Sequence, residues 1–545
     1  MTASAASPWA PFRSPVFAVV WASVLIGSIG TWMRDVGAGW LMTDLSASAT
    51  AVAMVQVATT LPIFLLSLPA GALADSVDRR RLLMWANAGL ALLALGLGLL
   101  TQWGQMTPTL LVLGLLLAGA CTAVITPVLQ SLTVLLVPRP QLRAAIALNS
   151  MGFNVSRAIG PALGGILLAT VGVEFNFYAD ALSYVAVIAA FWWWKGASAP
   201  ASAGPPERLG SALRAGLRYA WHAPELQRTL LRAGGFFLFA SAYWALLPLI
   251  ARQQLGGGPA YYGLLLACIG AGAVAAALGL PWLRRRLSAE GTMRLGTSLS
   301  VGVLVVLATV TDQAFAAAVM AVAGAAWIAV LTTANVSAQT RLPDWVRGRG
   351  LALYLTVFYG ALTSGSFVWG QVADRAGVPA ALWGAAVLGV VVLLVGWLRP
   401  LPDAEPDLTP SMHWPEPALS PSMAASLTQD RGPVLITVEY RVDPRRRSDF
   451  LAALAGFAPE RLRDGAYQWG IYEDVTDCGR FLESFLVPSW LEHQRQHHRV
   501  SRDDAALQAR LREFHVGEGA PKVQHFVAPT PTGSVPQPPT EGEHT

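Results

Sequence analysis

The chain has 545 residues, of which 54% are hydrophobic and 13% are charged, and its formal net charge is +5. A soluble domain carries about a quarter charged residues, so this composition excludes a wholly soluble globular protein. The mean hydropathy is positive, which indicates that much of the chain lies in a membrane.

Long apolar stretches fill the region between residues 16 and 400. Each is long enough to cross about 30 Å of hydrocarbon as a helix. The predicted spans are 16–41, 49–74, 82–102, 107–135, 144–171, 175–194, 229–252, 259–283, 292–311, 314–340, 350–373 and 378–398. The sequence therefore predicts an all-α membrane region with 12 transmembrane helices.

The two halves of this region repeat each other at a constant offset. Gly160 and Gly365 are separated by 205 positions, as are Gly165 and Gly370. Two six-helix repeats related by an axis along the membrane normal enclose a substrate cavity at their interface. We therefore expect alternating access, in which one half rocks against the other around a central site.

Arginine is concentrated in every second loop. If the N-terminus is cytoplasmic, the inner loops hold Arg79–Arg81, Arg284–Arg286 and most of the others, and the outer loops hold little beyond Arg252 and Arg375. The positive-inside rule then places both termini in the cytoplasm. The net charge is thus a signal of topology, and no nucleic-acid partner is implied. No cleavable signal is expected, because the first apolar run continues as a full span.

The loop after the second span carries a motif. Gly71, Asp75, Arg79 and Arg80 have the spacing that marks this loop in the major facilitator superfamily, and the chain resembles that family, although Ser76 departs from its pattern. The resemblance implies that Asp75 acts as a conformational latch, in a contact that breaks when the transporter changes state. Anchoring of the loop by charge is the alternative, and it explains the arginines but not Gly71 or Asp75.

The fifth span contains a second motif. Gly160, Pro161, Gly164 and Gly165 resemble the element that marks antiporters in the same superfamily. Small residues at this spacing let a helix pack closely on its neighbours, and the proline bends it. Residues 16–400 resemble the group that contains the enterobactin exporter and multidrug efflux proteins. The resemblance implies export by antiport, with ordinary helix packing as the alternative.

Charged residues inside the predicted spans are the candidates for proton coupling or substrate binding, because they are costly unless paired or facing water. Arg34 and Asp35 lie in the first span, Arg157 in the fifth and Asp180 in the sixth. No predicted span contains histidine, so a proton carrier would have to be Asp35 or Asp180. The resemblance implies that Asp180 ranks below the other three. A structural ion pair between Arg157 and a carboxylate is the alternative.

Aromatic residues near the half-interface can provide a stacking surface for a flat or amphipathic substrate. The candidates are Trp32, Trp40, Phe153, Phe236, Phe237, Tyr243, Trp244, Tyr354, Phe358 and Tyr359. Because aromatic residues also face lipid and the membrane interface, we expect fewer than half of them to line the cavity.

The composition changes after Pro400. Residues 401–431 are rich in proline, serine and acidic residues and read as a flexible linker. The order of strands and helices from 433 to 527 predicts a small ferredoxin-like α+β domain. It resembles the dimeric barrel domains related to antibiotic-biosynthesis monooxygenases. We expect a regulatory or self-association role for this domain rather than catalysis.

Histidines and cysteines give no clear metal site. His493 and His497 share a helix face and could bind a metal, but we interpret His497, His498, Arg495 and Arg499 together as a polar, solvated helix surface. Cys121, Cys268 and Cys478 lie far apart, so neither a disulfide framework nor a metal cluster is predicted.

The predicted organisation combines these observations. It comprises a cytosolic tail (1–15), a six-helix bundle (16–195), a cytosolic linker (196–228), a second six-helix bundle (229–400), a flexible linker (401–431), a cytosolic α+β domain (432–530) and a disordered tail (531–545). We predict a secondary active transporter that exports a siderophore-like molecule, drug or secondary metabolite across the bacterial inner membrane by proton antiport. It needs no cofactor, metal or catalytic residue, and its partners are the substrate, protons and the lipid bilayer. An importer of the same fold, and a membrane-tethered sensor or enzyme acting through the α+β domain, are the alternatives.

Overall fold

The chain divides into two compact units. The computed structural model describes residues 9–76, 78–194, 209–402, 406–411 and 431–529. The membrane unit comprises Met1–Glu207, Arg228–Gln339 and Leu351–Asp403, and the tail unit comprises Arg208–Gln227, Thr340–Gly350 and Ala404–Thr545.

Long helices form the membrane unit. In chain order the helices are α1 (Pro15–Leu45), α2 (Ala49–Ser76), α3 (Arg79–Gln102), α4 (Pro108–Leu136), α5 (Leu142–Thr170), α6 (Glu174–Trp193), α7 (Leu209–His222, in the tail unit), α8 (Pro224–Leu249, continued by the π-helical turn Ile250–Gln254), α9 (Pro259–Arg284), α10 (Ala289–Thr309), α11 (Gln313–Thr340), α12 (Arg347–Ala376) and α13 (Val378–Leu398). Within the described residues, eleven of these helices are long and apolar enough to cross a membrane. Helix α5 has the length but is less apolar, because it carries Arg157, Asn149 and Asn154.

The ends of several helices coincide with capping residues. The Thr107 hydroxyl accepts a hydrogen bond from the Leu110 N–H at 3.2 Å, and the Ser288 hydroxyl accepts one from the Gly291 N–H at 3.2 Å. Each bond satisfies a backbone donor that the first helical turn leaves without a partner. Gly377 has a φ of 89°, which lets the chain turn sharply between α12 and α13.

Glycines of the second motif lie where helices approach each other closely. Gly165 of α5 faces Gly263 of α9, and a Cβ at either position would collide with the backbone of the other. A Cβ on Gly160 would lie 2.6 Å from the Cβ of Trp32 in α1. The motif therefore packs α5 against α1 and, across the half-interface, against α9. Its role in antiport stays a prediction.

The tail unit contains a four-stranded sheet. Its elements are β1 (Val434–Arg441), α14 (Arg447–Asp464), β2 (Tyr467–Glu473), β3 (Arg480–Val487), α15 (Trp490–Arg499), α16 (Arg502–Arg512) and β4 (Lys522–Val527). The strand order is β2-β3-β1-β4, and all neighbouring strands are antiparallel. Tyr440, Phe450 and Phe481 are fully buried in its core. The small sheet domain is present, and its ferredoxin-like assignment stays a prediction.

Helix α7 and the segment 340–350 pack against the helices of the tail domain. The Arg463 guanidinium lies 5.5 Å from the ring centroid of Tyr219 in α7, and that of Arg499 lies 4.4 Å from the ring of Trp345. The Tyr219 hydroxyl donates a hydrogen bond of 3.0 Å to the Arg341 carbonyl. Part of the predicted cytosolic linker is thus folded into the tail unit.

Candidate functional site

A central cavity of about 720 Å³ lies inside the membrane unit. Its walls come from helices of both halves, including Thr31 and Asp35 of α1, Arg157 of α5, Trp244 of α8 and Trp327 of α11. Cavities of several hundred Å³ with mostly apolar walls and a few polar groups are the usual size and composition of small-molecule sites. This cavity is the candidate functional site.

Three of the four predicted charged residues form one cluster. The Arg34 Nη2 donates a hydrogen bond to the Asp35 Oδ1 at 3.0 Å, and its Nη1 donates one to the Asp180 Oδ2 at 3.3 Å. The Tyr184 hydroxyl accepts from the same Nη1 at 3.4 Å and shares a 2.9 Å hydrogen bond with the Thr31 hydroxyl. One guanidinium therefore serves two carboxylates.

The two carboxylates differ in their access to the cavity. The Asp35 side chain is 35% exposed and lines the cavity, whereas the Asp180 side chain is 0% exposed. The Asp180 Oδ1 accepts no hydrogen bond from the residues that the structure describes. Asp180 is thus the sealed member of the pair. Asp180 is absent from the residues that line the cavity, and its contact with Arg34 was not predicted from the sequence.

A close approach of two helices makes this cluster. A Cβ on Gly30 of α1 would lie 2.7 Å from the Ser183 Cβ and 3.1 Å from the Asp180 Cα of α6. Because Gly30 carries no side chain, the two backbones come near enough for Arg34, one turn further along α1, to reach Asp180.

Arg157 lies apart from this cluster, among tryptophans. Its guanidinium carbon is 5.6 Å from the ring centroid of Trp32, 5.1 Å from that of Trp244 and 5.8 Å from that of Trp327. The residue is buried, and among the described residues it has no salt bridge. Within the part of the chain that the structure describes, Arg157 therefore does not form the ion pair with a carboxylate that was considered from the sequence. Its guanidinium makes cation–π contacts with three rings instead.

Aromatic residues make up much of the cavity wall. Six of the ten aromatic candidates line it, so the expectation of fewer than half was wrong. These six are Trp32, Phe153, Trp244, Tyr354, Phe358 and Tyr359. The sequence reasoning missed Trp327, whose ring lies 5.3 Å from that of Trp244. Trp327 lies in a helix that is apolar on all sides, and the sequence of such a helix does not indicate which face lines a cavity.

The chain matches a known protein family over most of its length. The family described as "Transmembrane secretion effector" matches residues 6–532 of the chain. The chain belongs to this family of the major facilitator superfamily. It is a multi-pass membrane transporter, as the sequence resemblance predicted.

Relatives and solved structures agree with this assignment. The chain is 27% identical over 419 residues to the multidrug efflux pump Tap of Mycobacterium tuberculosis, covering 72% of this chain and 97% of that protein. It is 25% identical to the enterobactin exporter EntS of Citrobacter koseri, covering 72% and 96%. A bacterial homologue of the human lysosomal transporter Spinster, solved in an inward-facing and occupied conformation, has the same fold, with a TM-score of 0.58, 14% identity and coverage of 71% and 97%.

The loop motif of this transporter is only partly described. Gly71 and Asp75 belong to α2, but their contacts lie outside what the structure describes. Arg79 begins α3. The Arg80 guanidinium donates hydrogen bonds to the carbonyls of Phe191 at 2.6 Å and Trp192 at 2.9 Å, at the end of α6. Arg80 therefore caps a helix within the first half, and a latching role for the motif stays a prediction.

Contacts between the two halves near the junction of α1 and α2 were not predicted. Asp374 of α12 accepts hydrogen bonds from the Ala49 N–H at 2.9 Å and from the hydroxyls of Ser48 at 3.1 Å and Thr50 at 3.2 Å. It caps the start of α2, where the Ser48 hydroxyl also accepts a hydrogen bond from the Ala51 N–H at 3.3 Å. At the same end of these helices, Arg252 pairs with Asp44 of α1.

The tail unit holds a cluster of three histidines. His493 is 3% exposed and Arg499 is 8% exposed, so the expected solvated surface does not extend to Arg499. Its ring centroid lies 4.7 Å from those of His497 and His525, and its Nε2 is 3.3 Å from the His497 Nε2. His525 comes from β4, far along the chain, which helix periodicity could not reveal. In the described part of the chain, no group of three such side chains has the geometry to hold a metal ion.

The buried histidine predicts a dependence of stability on pH. Burial, together with the neighbouring His525 and His497, lowers the pKa of His493 from 6.5 to about 3. The folded state therefore keeps this ring neutral, while the unfolded chain takes up a proton as the pH falls below about 6.5. The contribution of His493 to stability is complete above that pH and is lost progressively as the pH falls towards about 3.

Hydrogen–deuterium exchange on the intact protein can measure this effect. Wild-type peptides covering β1 and α15 should lose more protection between pH 7.5 and pH 5.0 than the same peptides of His493→Gln, because glutamine does not titrate. Comparing the two proteins at each pH removes the intrinsic pH dependence of exchange. Equal losses of protection in both would contradict the prediction.

Proposed function

We propose that this transporter exports a small organic molecule across the bacterial inner membrane by proton antiport and alternating access. The proposal includes 12 transmembrane spans and cytoplasmic termini. Export as the direction of transport is supported by relatives that are named as an efflux pump and an enterobactin exporter. The observation that carries the coupling is the sharing of Arg34 between the cavity-facing Asp35 and the sealed Asp180.

Proton binding can change the charge of this cluster in a single step. With both carboxylates ionised, Arg34, Asp35 and Asp180 sum to one negative charge. One proton on either carboxylate brings the sum to zero and lets Arg34 pair fully with the other. Because uncompensated charge inside a membrane is costly, the two states favour different helix arrangements around the cavity.

Alternating access also requires the halves to separate at one end at a time. The hydrogen bonds from α2 to Asp374, and the pair of Arg252 with Asp44, join the first half to the second. They must break before the cavity opens on that side. Exposed hydrogen bonds and ion pairs suit this purpose, since each contributes little stability and can be replaced by water.

Removing the titratable carboxylates tests the coupling. Asp35→Asn and Asp180→Asn should each abolish the accumulation of substrate that a pH gradient drives in everted membrane vesicles, because neither variant can cycle between the two charge states. Substrate exchange without a gradient should persist in Asp35→Asn. The measurement uses any compound that wild-type vesicles accumulate in a screen of dyes, antibiotics and siderophores.

Glu290→Gln is the matched control. Glu290 is also a buried carboxylate, paired with Arg232 at 2.9 Å in the second half, but it does not line the cavity. This variant should lower thermal stability and leave gradient-driven accumulation in the protein that remains folded. Full gradient-driven accumulation by both aspartate variants would overturn proton antiport, and accumulation only in right-side-out vesicles would overturn export.

A native cysteine tests the proposed topology. Cys478 is exposed in the tail unit, whereas Cys121 and Cys268 are partly buried in membrane helices. A membrane-impermeant maleimide should label Cys478 in everted vesicles but not in intact cells, because we place the tail in the cytoplasm. Cys478→Ser should remove this labelling. Labelling of Cys478 in intact cells would contradict the proposed orientation.

We extend the proposal to self-association through the tail unit. The strand register aligns Tyr467, Leu486, Leu435 and Phe526 in one row across the sheet. Tyr467 is 37% and Phe526 is 51% exposed, so the row offers an apolar surface to a second copy. Native mass spectrometry of the detergent-solubilised protein should show dimers that Leu435→Arg converts to monomers. Monomeric wild-type protein at micromolar concentration would contradict this part.

A further inference from the structure

The charges around the cavity are unevenly paired. Asp35 and Asp180 both bind Arg34, so the first cluster has two carboxylates for one guanidinium. Arg157, which also lines the cavity, forms no salt bridge with any described residue. The site therefore presents one cation without an anionic partner.

Tryptophan rings hold the Arg157 side chain but do not neutralise it. Trp32 belongs to α1, Trp244 to α8 and Trp327 to α11, so the rings come from both halves. The quadrupole of each ring attracts the cation and fixes its position, while the full charge remains. The Arg157 Nε is buried and has no hydrogen-bond partner in the described part of the chain. Because Arg157 also lines the cavity, its guanidinium borders the space in which a ligand would bind.

The same region offers stacking surface next to this donor. The Trp327 ring lies 5.3 Å from the Trp244 ring and 6.5 Å from the Phe358 ring, and these three residues line the cavity. A planar guanidinium binds carboxylates with parallel hydrogen bonds, and aromatic walls bind flat rings. An anionic group attached to an aromatic ring satisfies both features at once.

We propose that Arg157 is the anion receptor of the transport site and that the substrates are organic acids in which a carboxylate or phenolate is attached to an aromatic ring system. This inference rests on the proposed function, because it assumes that the central cavity binds the transported molecule. It adds the substrate class and the residue that selects it. A lysine keeps the charge but not the planar donor array, and a glutamine keeps neither.

Three probes with one ring system test the selection by charge. Anthracene-9-carboxylate, 9-anthracenemethanol and 9-(aminomethyl)anthracene differ only in the substituent, and each quenches tryptophan fluorescence on binding. For the purified full-length protein in detergent, we expect the carboxylate to bind about tenfold more tightly than the alcohol, the change expected of one charge-assisted hydrogen-bonded contact. The ammonium should bind most weakly.

Variants at Arg157 separate recognition from packing. Arg157→Gln should remove the preference for the carboxylate and change alcohol binding less than about twofold, and Arg157→Lys should keep part of the preference. Arg286→Gln is the matched control, since Arg286 also lies over a tryptophan, 4.5 Å from the Trp282 ring, but outside the cavity wall. It should bind all three probes as the wild type does. If Arg157→Gln is not monodisperse, the lysine variant decides, because a packing role predicts equal weakening for all probes.

Several outcomes would overturn the proposal. These are the absence of saturable quenching by the carboxylate, binding of the alcohol or ammonium as tight as that of the carboxylate in the wild type, and equal weakening of all three probes by the Arg157 variants. The measurement uses no pH gradient, so a failure of proton antiport leaves it unaffected. Conversely, selective binding of the carboxylate without gradient-driven transport would contradict the proposed function alone.

Discussion

The cost of placing charge inside a bilayer is the constraint on which this structure depends. Every ionised side chain in a membrane helix must be paired, shielded or in contact with water. Arg34 is paired with two carboxylates, and Arg157 is shielded by three rings. Both arrangements require helices from different parts of the chain to meet at fixed positions. Arg34 and Arg157 both line the cavity. The chemistry of the cavity follows from the difference between them, since Arg34 is paired with carboxylates and Arg157 is only shielded by rings.

Close helix packing makes those positions reproducible. Gly30 brings α1 to α6, so that Arg34 reaches Asp180, and Gly165 brings α5 to α9 across the half-interface. Without a hydrophobic driving force between helices in lipid, small residues stabilise contacts by letting backbones approach. The second motif therefore contributes to the geometry around Arg157, which lies on the same helix two turns before Gly165.

Much of this organisation could be predicted from the sequence, because spans and repeats depend on local composition and spacing. The family, the membrane region and the small C-terminal sheet follow from such patterns, and Arg34, Asp35, Arg157 and Asp180 stand out as charges in apolar stretches. Their partners could not be predicted in this way. The pairing of Arg34 with Asp180 depends on which faces of α1 and α6 meet. When a helix is apolar on all sides, the periodicity of its sequence does not indicate which face contacts a neighbouring helix.

Helix α7 carries a consequence for the order of events during synthesis. It belongs to the tail unit and contacts Arg463 through Tyr219, yet it leaves the ribosome long before α14 and β4 have been made. Domains of nascent chains generally fold as units once their residues are available. The tail unit can therefore assemble only after the chain has been translated through β4, and Tyr219 lacks its contact with Arg463 until then. Ribosome stalling or premature termination between the codons of α14 and β4 would leave a membrane-inserted protein whose tail unit cannot fold, a state that cellular quality control can recognise.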